Sequence, residues 1–287
     1  MIRYILIFLV FNSCIAQRVA EYSTLESAMQ NKNDVKILTL WGEKITDEIY
    51  GFKNLEMLMI HESDIDSITD DIASLKKLKT ITVNLSGLRS VSPKLFSLKE
   101  LKSVILRDNK LFHISLEKEN VTIENLDISY NKLLNIDFIT NFKKIRTFRC
   151  RGNDLTEIPN GIFTENLEQL FLMENKISTI PDGIEKARKL RRFILNKNRI
   201  AYLPKSFFQL ENLSVIELAH NKFKLLNNDF RKLRSLKRLS LSYNEIEKIE
   251  SEMLFENLEQ LFLRGNKINK NDRTLIMSKN DKFKVSW

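Results

Sequence analysis

The feature that most constrains the fold is a short phrase of apolar residues that recurs along most of the chain. It reads L-x-x-L-x-L-x-x-N-x-L, with other apolar residues in place of some leucines, and it is clearest at Leu167–Ile177 and Leu258–Ile268. Eleven copies begin 20 to 23 residues apart, at Val35, Leu55, Leu78, Leu101, Ile123, Ile145, Leu167, Leu190, Leu213, Leu236 and Leu258. A period this regular predicts a solenoid whose repeats pack only against their neighbours.

The first half of the phrase predicts one short strand in each repeat. Leu170 and Leu172 alternate with Phe171 and Met173, which is the period-two pattern of a strand with one buried face. A strand of about five residues per repeat, always running in the same direction, builds a continuous parallel sheet.

The ninth position of the phrase is asparagine in the last eight repeats. The chain must turn away from the sheet there, and an amide side chain both donates and accepts hydrogen bonds, so this column is expected to satisfy backbone groups at the bend. The first three repeats have Glu43, Ser63 and Ser86 instead, as expected of atypical terminal repeats. The structural asparagine column is Asn109, Asn131, Asn153, Asn175, Asn198, Asn221, Asn244 and Asn266.

The second half of each repeat adds apolar residues, followed by proline in three repeats (Pro159, Pro181 and Pro204). Proline lacks a backbone donor, so this side is expected to consist of turns and short 3₁₀ or helical pieces. Over roughly residues 35–268 the chain resembles the leucine-rich repeat family, in its bacterial exported type with repeats of about 22–23 residues. The resemblance implies an α/β solenoid curved like a horseshoe, with the parallel sheet on the concave face, and protein recognition as the usual role.

Four segments make up the expected domain organisation: a signal at 1–16, an N-terminal helical cap at 17–34, eleven repeats at 35–268 and a C-terminal cap at 269–287. Ser23 to Glu26 has the pattern of a capping box before a short amphipathic helix. Asp272–Lys279 is expected to be a helix over the last repeat, and 283–287 a final strand.

Residues 1–16 have the pattern of an export signal. Arg3 precedes an apolar run from Tyr4 to Phe11, and Cys14 and Ala16 occupy the small-residue places of a cleavage site. The run is too short to cross a bilayer, which needs roughly 20 residues. Three alternatives stay open: a plain signal with a secreted or periplasmic product, a lipoprotein signal with lipid on Cys14, and a cytosolic start. With either kind of signal no other membrane span is expected.

The polar phase of each strand points out of the concave face, where a ligand would bind. Three such positions in each of the eleven strands give 33 positions. They include six arginines (107, 149, 151, 192, 238 and 264) and no lysine, although the chain has 30 lysines to 16 arginines. Arginine, methionine and aromatic residues are enriched at protein interfaces. The alternative interpretation is that strands simply tolerate Phe, Ile and Arg better than Lys. We predict that repeats 4–9 bind a protein or peptide, through Arg107, Arg149, Arg151, Phe171, Met173, Arg192, Ile194, Val215 and Glu217.

The net charge of +9 suggests an anionic partner such as nucleic acid. Arranged by repeat, however, the charges alternate in sign along two columns, which predicts ion-pair ladders along one edge of the sheet. The first column is Lys143, Glu165, Arg188, Glu211, Arg234 and Glu256, and the second includes Arg146, Glu168, Arg191, Lys237 and Glu259. Alternation leaves no continuous basic stripe, so nucleic-acid binding is not expected.

Catalytic chemistry, metal binding and cofactors are not expected from this sequence. His61, His113 and His220 fall in different repeats, and Cys150 occupies a core position of its strand. The chain is therefore interpreted as a non-catalytic, monomeric binding module of the cell envelope or extracellular space. The alternative is a cell-wall or glycan-binding (lipo)protein, for which Trp41, Tyr130 and Tyr243 offer separated aromatic platforms.

Overall fold

The computed structural model describes residues 20–250, 255–279 and 283–287. Within them, thirteen strands form one parallel sheet in which neighbours in sequence are neighbours in space. This arrangement confirms the expected solenoid. The strands are Glu21–Tyr22, Ile37–Trp41, Met57–His61, Thr80–Asn84, Ser103–Ile105, Asn125–Asp127, Thr147–Arg149, Gln169–Phe171, Arg192–Ile194, Val215–Glu217, Arg238–Ser240, Gln260–Phe262 and Lys284–Ser286.

The leucine positions of the phrase form the core. Side chains at its fourth and sixth positions, such as Leu170 and Leu172, are at most 2% exposed in every repeat. Each buried leucine-sized side chain contributes about 1.5–3 kcal/mol relative to exposure. The strands are shorter than expected: they contain five residues in repeats 1–3 but only three in repeats 4–11. In the later repeats the chain leaves regular pairing soon after the middle position of the strand.

A left-handed residue forms the bend that ends each strand. The eighth position of the phrase has φ between 49° and 74° in all eleven repeats, although only Gly42, Gly152 and Gly265 are glycines there. This conformation costs other residues roughly 1–2 kcal/mol each. The repeated geometry of the bend therefore imposes strain on eight residues: Glu62, Leu85, Asp108, Tyr130, Glu174, Lys197, His220 and Tyr243.

The ninth residue of the phrase stabilises this bend. The Asn175 Oδ1 accepts from the backbone N–H of Leu155 at 3.1 Å, and its Nδ2 donates to the carbonyl of Cys150 at 2.9 Å, both in the preceding repeat. The same Nδ2 also donates to Leu172 within its own repeat. In repeats 2 and 3 the Oγ of Ser63 and Ser86 also accepts a backbone N–H of the preceding repeat, from Glu43 and Ser63, but donates to a carbonyl of its own repeat. From repeat 2 onwards, one side chain at this position thus joins two consecutive turns.

The opposite side of the solenoid consists of short 3₁₀-helices and turns, as the prolines indicated. Two pairs of two-residue strands, Ser67–Ile68 with Ser90–Val91 and Leu225–Leu226 with Lys248–Ile249, lie on the way to this side. The 3₁₀-helices are Asp47–Gly51, Asp70–Ser74, Pro93–Ser97, Asp137–Asn141, Asn160–Ile162, Ile184–Lys186, Lys205–Gln209 and Asn228–Lys232.

One α-helix lies near each end of the sheet. Helix α1 spans Leu25–Met29, and its N-cap is Thr24 rather than Ser23. The Thr24 Oγ1 accepts from the N–H of Ser27, so the capping residue lies one position later than predicted and Glu26 takes no part in the cap. Helix α2 spans Lys270–Lys279, and the final strand pairs with the strand of repeat 11.

The two predicted charge columns differ in the structure. The second contains ion pairs between neighbouring repeats, with Arg146 Nη2 at 2.8 Å from Glu168 Oε1 and Lys237 Nζ at 3.0 Å from Glu259 Oε1. The ladder predicted for the first column is wrong: within the described ranges, Lys143 pairs with Glu119 and not with Glu165. That column lies in the turn before each strand, where the side chains are exposed and no backbone ladder sets their spacing.

Candidate ligand-binding face

The strands place three columns of side chains on the face of the sheet opposite the core. In the middle column Arg149, Phe171, Ile194 and Glu217 are in register on four consecutive strands. Arg192 and Val215 are paired in the preceding column. The strand pairing follows the predicted register in every repeat, so the order of side chains across the face is the one expected from the sequence.

Phe171 forms the centre of this face between two arginines. The guanidinium carbon of Arg149 lies 4.7 Å from the centroid of the Phe171 ring, and that of Arg192 lies 5.5 Å from it. Cations over an aromatic ring are attracted by roughly 0.5–2 kcal/mol, more when water is excluded. The ring therefore has two positive groups within 5.5 Å of its centroid, one from the strand on each side.

The remaining concave arginines also lie over aromatic rings. Tyr130 is flanked by Arg107 at 5.8 Å and Arg151 at 5.1 Å. Arg238 lies 4.3 Å from the ring centroid of Phe262, and Arg264 lies 6.0 Å from that of Tyr243. A guanidinium group is planar and can lie against an aromatic ring as well as attract it, which is consistent with arginine rather than lysine on this face.

Two glutamates neutralise part of this positive charge. Glu174 accepts from Arg151 at 3.0 and 3.1 Å and from Lys197 at 2.6 Å. Hydrogen bonds from Arg151, and then from Lys197, lower the pKa of Glu174 to about 2. Glu217 accepts from Arg238 at 3.1 Å and from Asn196 at 2.9 Å. Arg151, a predicted ligand contact, is thus already paired within the protein.

The apolar part of the face is smaller than expected. Ile194 is only 3% exposed, so the expectation that it offers open apolar surface to a ligand is wrong. Phe171 and Glu217 flank it in register on the adjacent strands. Met173, two residues after Phe171 along the chain, and Val215, in register with Arg192, are half-buried and remain accessible.

Three residues of this face were absent from the predicted set. Asp127 is buried and accepts from the N–H of Ser129, with the Arg107 Nε 3.9 Å away. Tyr130 and Glu174 occupy the left-handed eighth position, outside the three strand columns. The sequence signal for the position of the Tyr130 ring was Gly152, which occupies the eighth position of the next repeat. A Cβ at Gly152 would lie 2.5 Å from the tyrosine ring.

Cys150 and His61, which are residues of chemically reactive types, both pack against other parts of the protein. Burial raises the pKa of the Cys150 thiol well above its usual range, and the His61 ring stacks on Trp41 with centroids 4.4 Å apart. The part of the chain that the structure describes contains no group of three metal-ligating side chains, and no helix there is long and apolar enough to cross a membrane. Cys14 and the expected signal at 1–16 lie outside the described residues.

One strand, one left-handed bend and one interior amide or hydroxyl per repeat define a parallel solenoid with an open sheet face. A family model described as Leucine rich repeat matches residues 188–246. The chain therefore has the leucine-rich repeat fold, and residues 188–246 match the model of that family.

Solved structures support the same fold. An internalin (InlF) from Listeria monocytogenes strain 4b F2365 matches with a TM-score of 0.67 at 16% identity, covering 92% of this chain and 70% of that one. The TLR13–ssRNA13 complex gives 0.70 at 18% identity, covering 91% and 44%. The ectodomain of the receptor kinase GASSHO1/SCHENGEN3 from Arabidopsis thaliana, in complex with CASPARIAN STRIP INTEGRITY FACTOR 2, gives 0.70 at 21% identity, covering 93% and 37%. The chain thus spans less than half of the last two proteins. No curated protein matches its sequence.

Proposed function

We propose that this protein is a non-catalytic binding module that holds a protein or peptide on the concave face of repeats 4–9. The observation that carries the proposal is the central cluster of Arg149, Phe171 and Arg192, in which two cations flank one ring on an otherwise regular sheet. Aromatic residues, methionine and arginine are enriched at protein interfaces, where a few residues contribute most of the binding energy. Met173 and Val215 extend the cluster with apolar surface.

The proposal includes export to the cell envelope or extracellular space, with the protein acting as a monomer. The apolar run from Tyr4 to Phe11 and the small residues before Gln17 support an export signal. Lipid on Cys14 is the alternative form of the same localisation. Mass spectrometry of the mature N-terminus distinguishes cleavage before Gln17 from a lipidated Cys14.

Protein is preferred over nucleic acid as the ligand because of how the charges are distributed. Glu174 and Glu217 pair with arginines on the concave face, and Glu168 pairs with Arg146 at its edge. These pairs interrupt the positive surface that a phosphate backbone requires. Since one structural neighbour is a complex with single-stranded RNA, retention of RNA is one of the outcomes of the test below.

The glycan-binding alternative rests on one surface feature. Trp41 is 59% exposed and stacks on His61, near the N-terminal end of the sheet. This feature lies on repeats 1 and 2, away from the central cluster. A Trp41→Ala variant that loses retention on a cell-wall fraction would favour this alternative.

Capture of partners from an extract of the source organism tests the proposal. Three immobilised forms are compared: the wild type, the double variant Phe171→Ala, Arg149→Ala, and the control Phe112→Ala, Arg188→Ala. The control removes the same residue types from exposed positions off the concave face. We expect the wild type and the control to retain the same protein and the concave variant to lose it. Equal retention by all three forms, or retention of RNA alone, would place the function elsewhere.

A further inference from the structure

We infer that the cluster of Arg149, Phe171 and Arg192 binds a carboxylate of a peptide ligand, supplied by an acidic side chain or by the chain terminus. The inference rests on the proposed function, because it specifies the chemistry of a ligand for the same face. It follows from which charges around the cluster are already paired and which are not.

The carboxylates nearest the cluster are engaged elsewhere. Asp127, in register with Arg149, accepts from the N–H of Ser129 and has the Arg107 Nε at 3.9 Å. Glu217, on the other side, is held by Arg238 and Asn196. Among the described residues, neither Arg149 nor Arg192 forms an ion pair, and the ring of Phe171 is the group they share.

Arg149 is half-buried, which makes its lack of an anionic partner costly. Desolvation, together with the like charges of Arg192 and Arg107, lowers the pKa of Arg149, and Asp127 only partly opposes this. A partly desolvated cation binds an anion more strongly than an exposed one does. Two planar guanidinium groups, each with several donors, match the two oxygens of a carboxylate.

The apolar neighbours of the cluster favour a peptide over a free anion. Met173 and Val215 are half-buried, and Val215 lies beside Arg192 in register. An acidic residue next to an apolar one would place its carboxylate at the arginines and its neighbour against this surface.

Selection from synthetic libraries of random dodecapeptides tests the inference. One library has free C-terminal carboxylates and the other has amidated C-termini. Three proteins are compared: the full-length wild type, the double variant Arg149→Gln, Arg192→Gln, and the matched control double variant Arg188→Gln, Arg191→Gln. The control arginines are exposed and lie just before the strand that contains Arg192. Circular dichroism and thermal unfolding establish that all three are folded.

We expect the wild type and the control to select acidic peptides, or peptides with a free C-terminus, and the Arg149, Arg192 variant to lose this bias. A selected peptide should bind the Arg149, Arg192 variant roughly tenfold more weakly than the wild type, which corresponds to about 1.4 kcal/mol of binding free energy. A version of an acidic peptide with Glu replaced by Gln should bind the wild type more weakly by the same factor. Bias in the amidated library assigns the carboxylate to side chains, and selection only from the free-acid library assigns it to the chain terminus.

Selection without either bias, or of no peptide at all, overturns the inference. Retention of the bias by the Arg149, Arg192 variant does the same. The proposed function fails separately, when the partner captured by the wild type is also retained by the Phe171, Arg149 variant.

Discussion

At the scale of single residues, each bend of the solenoid from repeat 2 onwards depends on one amide or hydroxyl side chain. The role of the asparagine column was predictable, because the spacing of the phrase places a donor and acceptor where the chain turns. The left-handed residue before it was not predictable, since Glu62, Leu85 and Tyr130 are not residue types that favour positive φ. The geometry of the repeat imposes that conformation.

The asparagine column predicts a graded loss of stability at position 175. Asn175→Ala leaves the N–H of Leu155 and the carbonyl of Cys150 without their partner, and we expect the free energy of unfolding to fall by about 2–3 kcal/mol. Asn175→Ser should cost less, because a hydroxyl can still accept one backbone N–H of the preceding repeat, as Ser63 and Ser86 do. Urea unfolding of both variants measures the difference, and equal losses would show that the hydroxyl does not replace the amide.

The left-handed bend predicts a specific cost at Gly265. In Gly265→Ala the new Cβ would lie 2.5 Å from the ring of Tyr243, at a φ of +74°. We expect a loss of about 1–2 kcal/mol from the backbone conformation and further loss from the clash. Gly51→Ala is the control, because no atom lies within 4 Å of its new Cβ and its φ is not positive. Similar melting temperatures for the two variants would contradict this account.

Glu174 predicts a pH dependence of stability. Its pKa is lowered from 4.5 to about 2 in the folded protein, so it stabilises the fold above pH 4.5, and this contribution is lost as the pH falls towards 2. Glu174→Gln should lower the free energy of unfolding at pH 7 by about 1 kcal/mol, since its exposed partners are screened by solvent. The difference from the wild type should shrink between pH 4.5 and 2. A difference that is constant across that range would show that Glu174 gains nothing from its charge.

At the scale of elements, the sequence determined register better than length. Period-two alternation assigned the strand faces in every repeat, because a shift of one residue would expose the leucines. The end of a strand depends on backbone pairing, which the apolar pattern does not indicate. The pattern therefore did not predict that the strands of repeats 4–11 have only three residues. The stacking of arginines on Phe171 and Tyr130 depends on rotamers across different repeats, so no pattern within one repeat indicated it.

Helix α2 offers a test of how stability is distributed along the solenoid. Ile276 is buried at 2% exposure, whereas Met277 on the same helix is 55% exposed. We expect Ile276→Ala to destabilise the C-terminal end by about 2 kcal/mol and Met277→Ala to have little effect. Because repeats contact only their neighbours, the Ile276 variant should lose hydrogen-exchange protection in repeats 10 and 11 before repeats 1–4. Uniform loss along the chain would indicate a single cooperative unit instead.

At the scale of the whole molecule, the net charge of +9 says little about the ligand until the charges are placed. Acidic side chains neutralise part of this positive charge along the edge of the sheet and on the concave face, as in the pairs of Arg146 with Glu168 and Arg151 with Glu174. The central arginines are different because they pair with a ring and not with a carboxylate. The fold could be predicted from the repeat, whereas the unpaired state of the two central arginines became visible only with all strands in place.

The central claim is that the middle of the concave face is the binding surface, and hydroxyl-radical footprinting with the captured partner tests it most directly. Phe171 and Met173 report on that face, and the exposed Phe112 and Tyr202 report on surfaces away from it. We predict that the partner lowers the oxidation of Phe171 and Met173 severalfold and leaves Phe112 and Tyr202 unchanged. Protection of Phe112 or Tyr202, with Phe171 and Met173 oxidised as in the free protein, would contradict the claim.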